Sequence, residues 1–108
     1  MAINDEIHMY DKGTVLQFLI KDNDIVKPIQ MSTERKLVME KPDGTTIVRT
    51  LSFVTDGTDG MLKYETTDTD FDQEGHWRFQ VKLTFANGLW RSNIIRQYVF
   101  ANLTEPAP

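Results

Sequence analysis

The sequence contains no cysteine. Disulfides, Cys-ligated zinc, iron–sulfur clusters and thiol nucleophiles are thereby excluded. Long apolar runs are also missing. The longest, from Val15 to Ile20, is interrupted by Gln17 and falls far short of the roughly 18 residues a membrane helix needs. The start, Met1-Ala2-Ile3-Asn4-Asp5-Glu6, has neither the basic opening nor the apolar stretch of a secretory signal. Folding in a cytoplasm, with no membrane partner, is the expectation. Positive charge is in short supply: 12 Lys and Arg face 16 Asp and Glu, a net charge of −4. A general nucleic-acid binder needs a dominant basic surface, so no nucleic-acid partner is expected.

What is present is one small domain. At 108 residues the chain can bury one modest core and has little room for a second. Helical periodicity is nearly absent. Short alternating segments recur instead, punctuated by Gly, Pro, Asn and Asp. Candidate strands fall at residues 7–10, 14–21, 35–41, 46–54, 61–65, 76–85 and 89–101. About seven strands at this spacing imply an all-β sandwich or small barrel. The expected domain covers residues 1–102, and the Pro-rich end at 103–108 reads as a tail.

The segment 76–85 is the clearest. Trp77, Phe79, Val81, Leu83 and Phe85 alternate with His76, Arg78, Gln80, Lys82 and Thr84, as in a strand with one face in the core and one in water. Asn87-Gly88 tolerates positive φ and predicts a two-residue turn. That register pairs Ala86 with Leu89, Phe85 with Trp90, Val81 with Ile94 and Trp77 with Tyr98. It also puts Arg96 opposite Phe79, on the inner face. Two arrangements resolve this: a bulge near Ser92-Asn93 that switches the face of every later residue in the strand, or an Arg96 at the rim with its head in water. Elsewhere Leu16, Phe18 and Ile20 share a face, as do Leu37 and Met39, Leu51 and Phe53, and Leu62 and Tyr64. With the inward residues of the last hairpin, including Trp90 and Ile94, they form the expected core. Pro42-Asp43-Gly44 is a turn between strands. One helical turn is expected at 67–71.

Catalytic constellations are sparse. Asp68, Asp70 and Asp72 alternate as at the start of an EF-hand loop, but Gln73 replaces the required glycine and Phe79 the bidentate glutamate. A solvated crossover is the favoured reading over a calcium site. Asp56-Gly57 and Asp59-Gly60 read as turns. His8 and His76 are the only histidines; both occupy polar positions and read as surface imidazoles. Ser32, Ser52 and Ser92 lack a nucleophile-elbow context. No cofactor and no enzymatic activity are expected. One surface feature stands out on an acidic chain: His76, Arg78, Lys82 and Arg91 share the outward face of the last hairpin. It is either an ordinary solvated sheet face or a contact surface for an acidic partner or anionic glycan.

An ordered set of motifs carries a family resemblance. Tyr10-Asp11-Lys12-Gly13-Thr14 leads into the first long strand. Lys41-Pro42-Asp43-Gly44-Thr45 is succeeded by the run from Phe53 to Gly60, then Tyr64. Gly75-His76-Trp77 opens the longest strand, and Asn87-Gly88 comes after it. This succession, from about Ile7 to Val99, resembles the immunoglobulin-like domain at the N-terminus of phage baseplate upper proteins. The resemblance implies an immunoglobulin-like antiparallel β-sandwich. Trp77 and Phe79 would stand where antibody-like domains keep the corner tyrosine and second cysteine. It further implies a non-enzymatic virion component, folded in the host cytoplasm, that docks to other phage structural proteins at the baseplate, tail or head surface. Two alternatives stand beside it: a module binding a host-surface glycan or receptor, for which Tyr10, Phe71 and Phe100 are the candidate solvent-facing aromatics, and an assembly factor absent from the particle. Oligomeric state is left open, since no coiled-coil heptads impose one.

Overall fold

The computed structural model describes residues 7–102, so the expected tail at 103–108 and the first six residues of the expected domain lie outside it. The fold is all-β, and no helix occurs among the described residues. Eleven short strands appear in chain order: β1 (Ile7–His8), β2 (Val15–Leu19), β3 (Lys21–Asp22), β4 (Ile25–Val26), β5 (Glu34–Glu40), β6 (Thr46–Thr50), β7 (Ser52–Phe53), β8 (Met61–Glu65), β9 (Gly75–Phe85), β10 (Gly88–Arg91) and β11 (Ile95–Phe100). The larger sheet runs β1-β11-β9-β5-β6, with β10 also on β9; a second runs β2-β8-β7; β3 and β4 form a hairpin. The count exceeds the expected seven because the segments 14–21, 46–54 and 89–101 are each broken in two, and β4 adds a strand that no alternation marks.

Alternation explains which side of each strand is buried. Leu16 and Phe18 of β2, Leu37 and Met39 of β5, Leu62 of β8, and Trp77, Phe79, Val81 and Leu83 of β9 are all buried in one cluster. Both main sheets therefore contribute their apolar faces to a single core. Four members lie outside the expected set: Ile7, Ile29, Phe71 and Val99. Phe71, a candidate solvent-facing aromatic, is instead sealed inside, its ring edge-on to Trp77 at 5.1 Å. The Trp77 indole N–H donates to the Gln73 carbonyl at 3.0 Å. This satisfies the one polar atom of the largest buried side chain. The expected helical turn is a single hydrogen-bonded turn, with Asp70 N–H donating to Thr67 C=O.

The last hairpin is in a different register from the expected one. Gly88 pairs with Phe85, and Trp90 with Leu83, so Ala86 and Asn87 form the loop, and neither takes positive φ. The left-handed two-residue turn lies elsewhere, at Asn23 and Asp24 (φ 52° and 65°), where it closes β3 onto β4. Beyond Arg91 the pairing slips by one residue: Arg91 faces Lys82, yet Ile95 faces Phe79. Asn93 and Ile94 together stand opposite Gln80, which is a β-bulge. Ser92 holds it, its backbone N–H donating to Val81 C=O and its hydroxyl accepting from Val81 N–H, both at 2.9 Å. The bulge turns Ile95, Gln97 and Val99 inward and Arg96 outward. Of the two arrangements open for Arg96, the bulge is the one found. Ile94, expected in the core, is 52% exposed for the same reason.

Two turns carry glycine for cause. At 42–44, Gly44 takes φ 90° and closes the loop between β5 and β6, with Thr45 N–H donating to Asp43 Oδ1. In the loop after β7, Gly57 has φ 91°, and a Cβ there would lie 2.8 Å from the Phe53 ring and 2.9 Å from Gln30 Cα. Both the dihedral and the space forbid a side chain. Gly57→Ala is expected to cost about 1–3 kcal/mol, read as a lower urea midpoint at unchanged slope.

Candidate partner-binding surface

The four residues singled out from the sequence share one surface. His76, Arg78 and Lys82 alternate along the outer side of β9, and Arg91 faces Lys82 from β10. Strand pairing adds neighbours that no local pattern reveals. Lys36 of β5 faces Lys82 from the other side, while Arg96 of β11 and Glu40 of β5 flank Arg78. Glu40 is the partner of Arg78, whose Nε and Nη2 donate to its Oε1 at 2.7 and 2.6 Å. Lys36 Nζ donates to Thr50 Oγ1 at 3.0 Å. Lys82, Arg91 and Arg96 carry no side-chain hydrogen bond or ion pair within the described residues. Between the two basic rows lies an apolar strip of Val38, Val48 and Ile94, the last two more than half exposed. Sequence parity misses Arg96 because its outward direction depends on the bulge. The one available signal is an arginine on a predicted inner face.

At one end of the face the rings form a chain. His76 meets Tyr98 edge-on at 4.9 Å, Tyr98 meets Phe100 at 4.8 Å, and Phe100 lies 5.6 Å from His8. His76 is exposed, as expected, while His8 is half-buried. Phe100 and Tyr10 are exposed aromatics.

The three alternating aspartates do not converge. Asp70 is fully buried and accepts from Arg49 Nε at 2.9 Å, Tyr64 O–H at 2.6 Å and Thr67 N–H at 2.9 Å. Asp72 pairs with Lys41 at 2.9 Å. Among the described residues no three His, Asp or Glu side chains gather as metal ligands do. Burial opposes ionisation of Asp70, but its three donors outweigh burial and hold its pKa below the usual 3.8. Burial and the adjacent Asp70 push Tyr64 up to about 12. Asp56 and Asp59 serve their own loop: Asp56 accepts from the Thr58 N–H and hydroxyl, and Asp59 from Met61 N–H and the Thr55 hydroxyl. Ser32 and Ser92 donate their hydroxyls to the carbonyls of Ile29 and Asn93. These groups are occupied in holding loops and the bulge.

A cleft of about 750 Å³ lies beside the bulge, between residues 19–24 and 90–96. Of the cations on the outer face of the larger sheet, Arg91 and Arg96 border this cleft.

No curated protein matches the chain. The BppU N-terminal domain matches it over residues 3–99. That span takes in every strand of both sheets up to Val99 and the whole motif series from Tyr10 to Gly88, so this chain belongs to the BppU N-terminal domain family, that of phage baseplate upper proteins, and is a structural component of the bacteriophage baseplate.

Proposed function

We propose that this domain is a non-enzymatic docking module, with its outer sheet face, centred on His76, Arg78, Lys82 and Arg91, seated on an acidic surface of another virion protein. The observation that carries the reading is charge placement. On a chain of net charge −4, Lys36, Arg78, Lys82, Arg91 and Arg96 gather on one face with only Glu34 and Glu40 among them on β5. Lys82, Arg91 and Arg96 have no partner of their own among the described residues. Such a patch steers and orients an acidic partner, and weak single contacts add up on a repeating particle. Membership of a structural baseplate family supports the non-enzymatic reading. The cysteine-free core agrees with folding in the reducing host cytoplasm, with the domain spanning residues 1–102 and 103–108 as its tail.

The test is reconstitution with purified baseplate proteins from the same phage. Arg78→Glu combined with Lys82→Glu is expected to weaken association roughly thirtyfold, at on the order of 1 kcal/mol per reversed charge. Wild-type binding should fall as salt is raised. Unchanged affinity of the double variant removes the proposal.

A second reading, binding of a host-surface glycan, draws on Tyr98 and Phe100, exposed on the same face. A glycan array that finds ligands lost in Tyr98→Ala would favour it. Mass spectrometry of purified virions separates both readings from an assembly factor, which would be absent from the particle.

A further inference from the structure

We propose that the row of Lys36, Lys82 and Arg91 on the outer sheet face, together with the apolar strip beside it, receives an amphipathic helix of a partner virion protein. The helix crosses the strands and carries an acidic stripe next to an apolar one. The proposal rests on the docking reading above and specifies how the partner engages.

Strand register assembles the row. Lys36 faces Lys82 from one side and Arg91 faces it from the other, so β5, β9 and β10 each supply one cation at the same height. Like charges directly opposite one another on neighbouring strands destabilise a sheet. Among the described residues nothing relieves this row. Lys36 donates to the neutral Thr50 hydroxyl, and Lys82 and Arg91 have no side-chain hydrogen bond or ion pair. Glu34, next to Lys36 on the outer side of β5, pairs with none of the three. A local rule broken without internal compensation is the mark of a surface kept for a partner.

The neighbouring row is apolar. Val48 faces Val38, Val38 faces Gln80, and exposed Ile94 stands beyond Gln80 at the bulge. A depression of about 110 Å³ opens here, walled by Val38, Thr46, Gln80, Ile94 and the Glu40–Arg78 ion pair. At roughly 30 Å³ for each water-sized group it takes about four heavy atoms, the size of a leucine side chain. In the row beyond, Glu40 neutralises Arg78 and leaves only Arg96. The strip therefore has one strongly basic flank and one weak one. Lys36, Val38, Gln80 and Lys82 belong to β5 and β9, the inner strands of the sheet, so the heart of the site does not depend on either edge.

Spacing selects a helix. Adjacent strands lie about 4.8 Å apart, so the three cations span roughly 10 Å across the sheet. Acids at i, i+4 and i+7 of a helix share one stripe and span about 10.5 Å. Three alternate residues of an extended segment span about 13 Å, a poorer match. Residues i+1, i+5 and i+8 form a second stripe about 100° around the helix, which sets apolar side chains on the strip while the acids meet the cations. An anionic glycan would meet the cations but leave the strip and its depression unused, so the helix is the occupant that uses both.

The experiment uses the isotopically labelled full chain and four probes. The first is a capped helical peptide with glutamates at i, i+4 and i+7 and leucines at i+1, i+5 and i+8. The second has the same composition with the glutamates moved opposite the leucines, the third is the patterned peptide broken by a central proline, and the fourth is a sulfated oligosaccharide. The patterned helix is expected to shift the amides of Lys36, Val38, Gln80, Lys82 and Arg91 and to gain helicity on binding. Lys36→Glu with Lys82→Glu should weaken it at least tenfold while core amides, such as that of Phe79, stay in place. Ile94→Ser should weaken the helix and leave the oligosaccharide unaffected. Equal binding of the second or third peptide, unmoved amides at 36–38 and 80–82 at millimolar peptide, or oligosaccharide binding there without helix binding would overturn the proposal. If the reversal at Arg78 and Lys82 abolishes docking to baseplate proteins while the patterned helix leaves those amides unmoved, the outer-face reading survives and the helix falls. If that reversal leaves docking intact, the docking reading itself falls.

Discussion

Trp77→Ala is expected to destabilise the domain by about 3–5 kcal/mol, the range for removing a large buried aromatic. Trp77 is fully buried, heads the largest core side chains, and stacks edge-on with Phe71. Its removal deletes that ring pair, leaves a cavity between β9 and the 67–71 turn, and frees the Gln73 carbonyl that the indole N–H satisfies. Relaxation cannot close the gap cheaply, because Phe79 on the same strand already fills the neighbouring position against Phe71 at 6.2 Å. For a domain whose total stability is about 5–15 kcal/mol, the loss is a large share. Urea titration should show it as a fall in midpoint at constant slope. The control is Tyr98→Ala on β11, one position from Gln97, which is the cross-strand partner of Trp77. Tyr98 is 38% exposed on the outer face, and its loss should cost under about 1 kcal/mol. Similar costs at Trp77 and Tyr98 would contradict the division of β9 and β11 into inner and outer faces.

The same contrast shows which parts of the fold are legible in sequence. Strand parity is local: hydrophobic alternation alone assigns Leu16, Phe18, Leu37, Met39 and, on β9, Trp77, Phe79, Val81 and Leu83 to the core, and all of them are buried. Register is not local. Asn87-Gly88 carries the chemistry of a left-handed turn, yet the loop uses Ala86 and Asn87, which moves Trp90 from Phe85 to Leu83 without changing its face, so parity alone does not reveal the shift. One further residue absorbed in the bulge then reverses the faces of Ile94 and Ile95. Arg96 announces the conflict but not its position. Loop burial has no period either, so Ile29 beside Pro28 and Phe71 among aspartates offer no pattern to read. Of the candidate surface, the four residues on the hairpin itself are legible from parity. Lys36, Glu40 and Arg96 join it through pairings that span 38 residues in the case of Arg78 and Glu40.

Asp70 is the clearest instance of a role that sequence proximity conceals, and its substitution carries the second large effect. Within the sequence it sits in a polar run; in the fold it is a fully buried carboxylate bound by Arg49, Tyr64 and Thr67. Asp70→Ala leaves the Tyr64 hydroxyl and Arg49 without their acceptor. Breaking a buried pair costs about 3–5 kcal/mol, and the lower end applies because the Arg49 side chain remains 35% exposed and reaches water. The effect should depend on pH in a defined direction. The folded-state pKa of Asp70 lies below 3.8, so its contribution is complete above that value and disappears as pH falls through the depressed one. The stability gap between wild type and Asp70→Ala should therefore be widest near neutrality and shrink below about pH 4. Tyr64 acts at the alkaline end with the opposite sign. Its pKa is raised from 10.0 to about 12, so its contribution is complete below pH 10 and is lost as pH rises to about 12. Tyr64→Phe should flatten that alkaline limb and leave the acid limb dominated by Asp70. Urea midpoints measured across the pH range test both. A gap for Asp70→Ala that stays constant into acid would show that the carboxylate's charge contributes nothing, and that the protonated side chain supports Tyr64, Arg49 and the turn at 67–71 equally well.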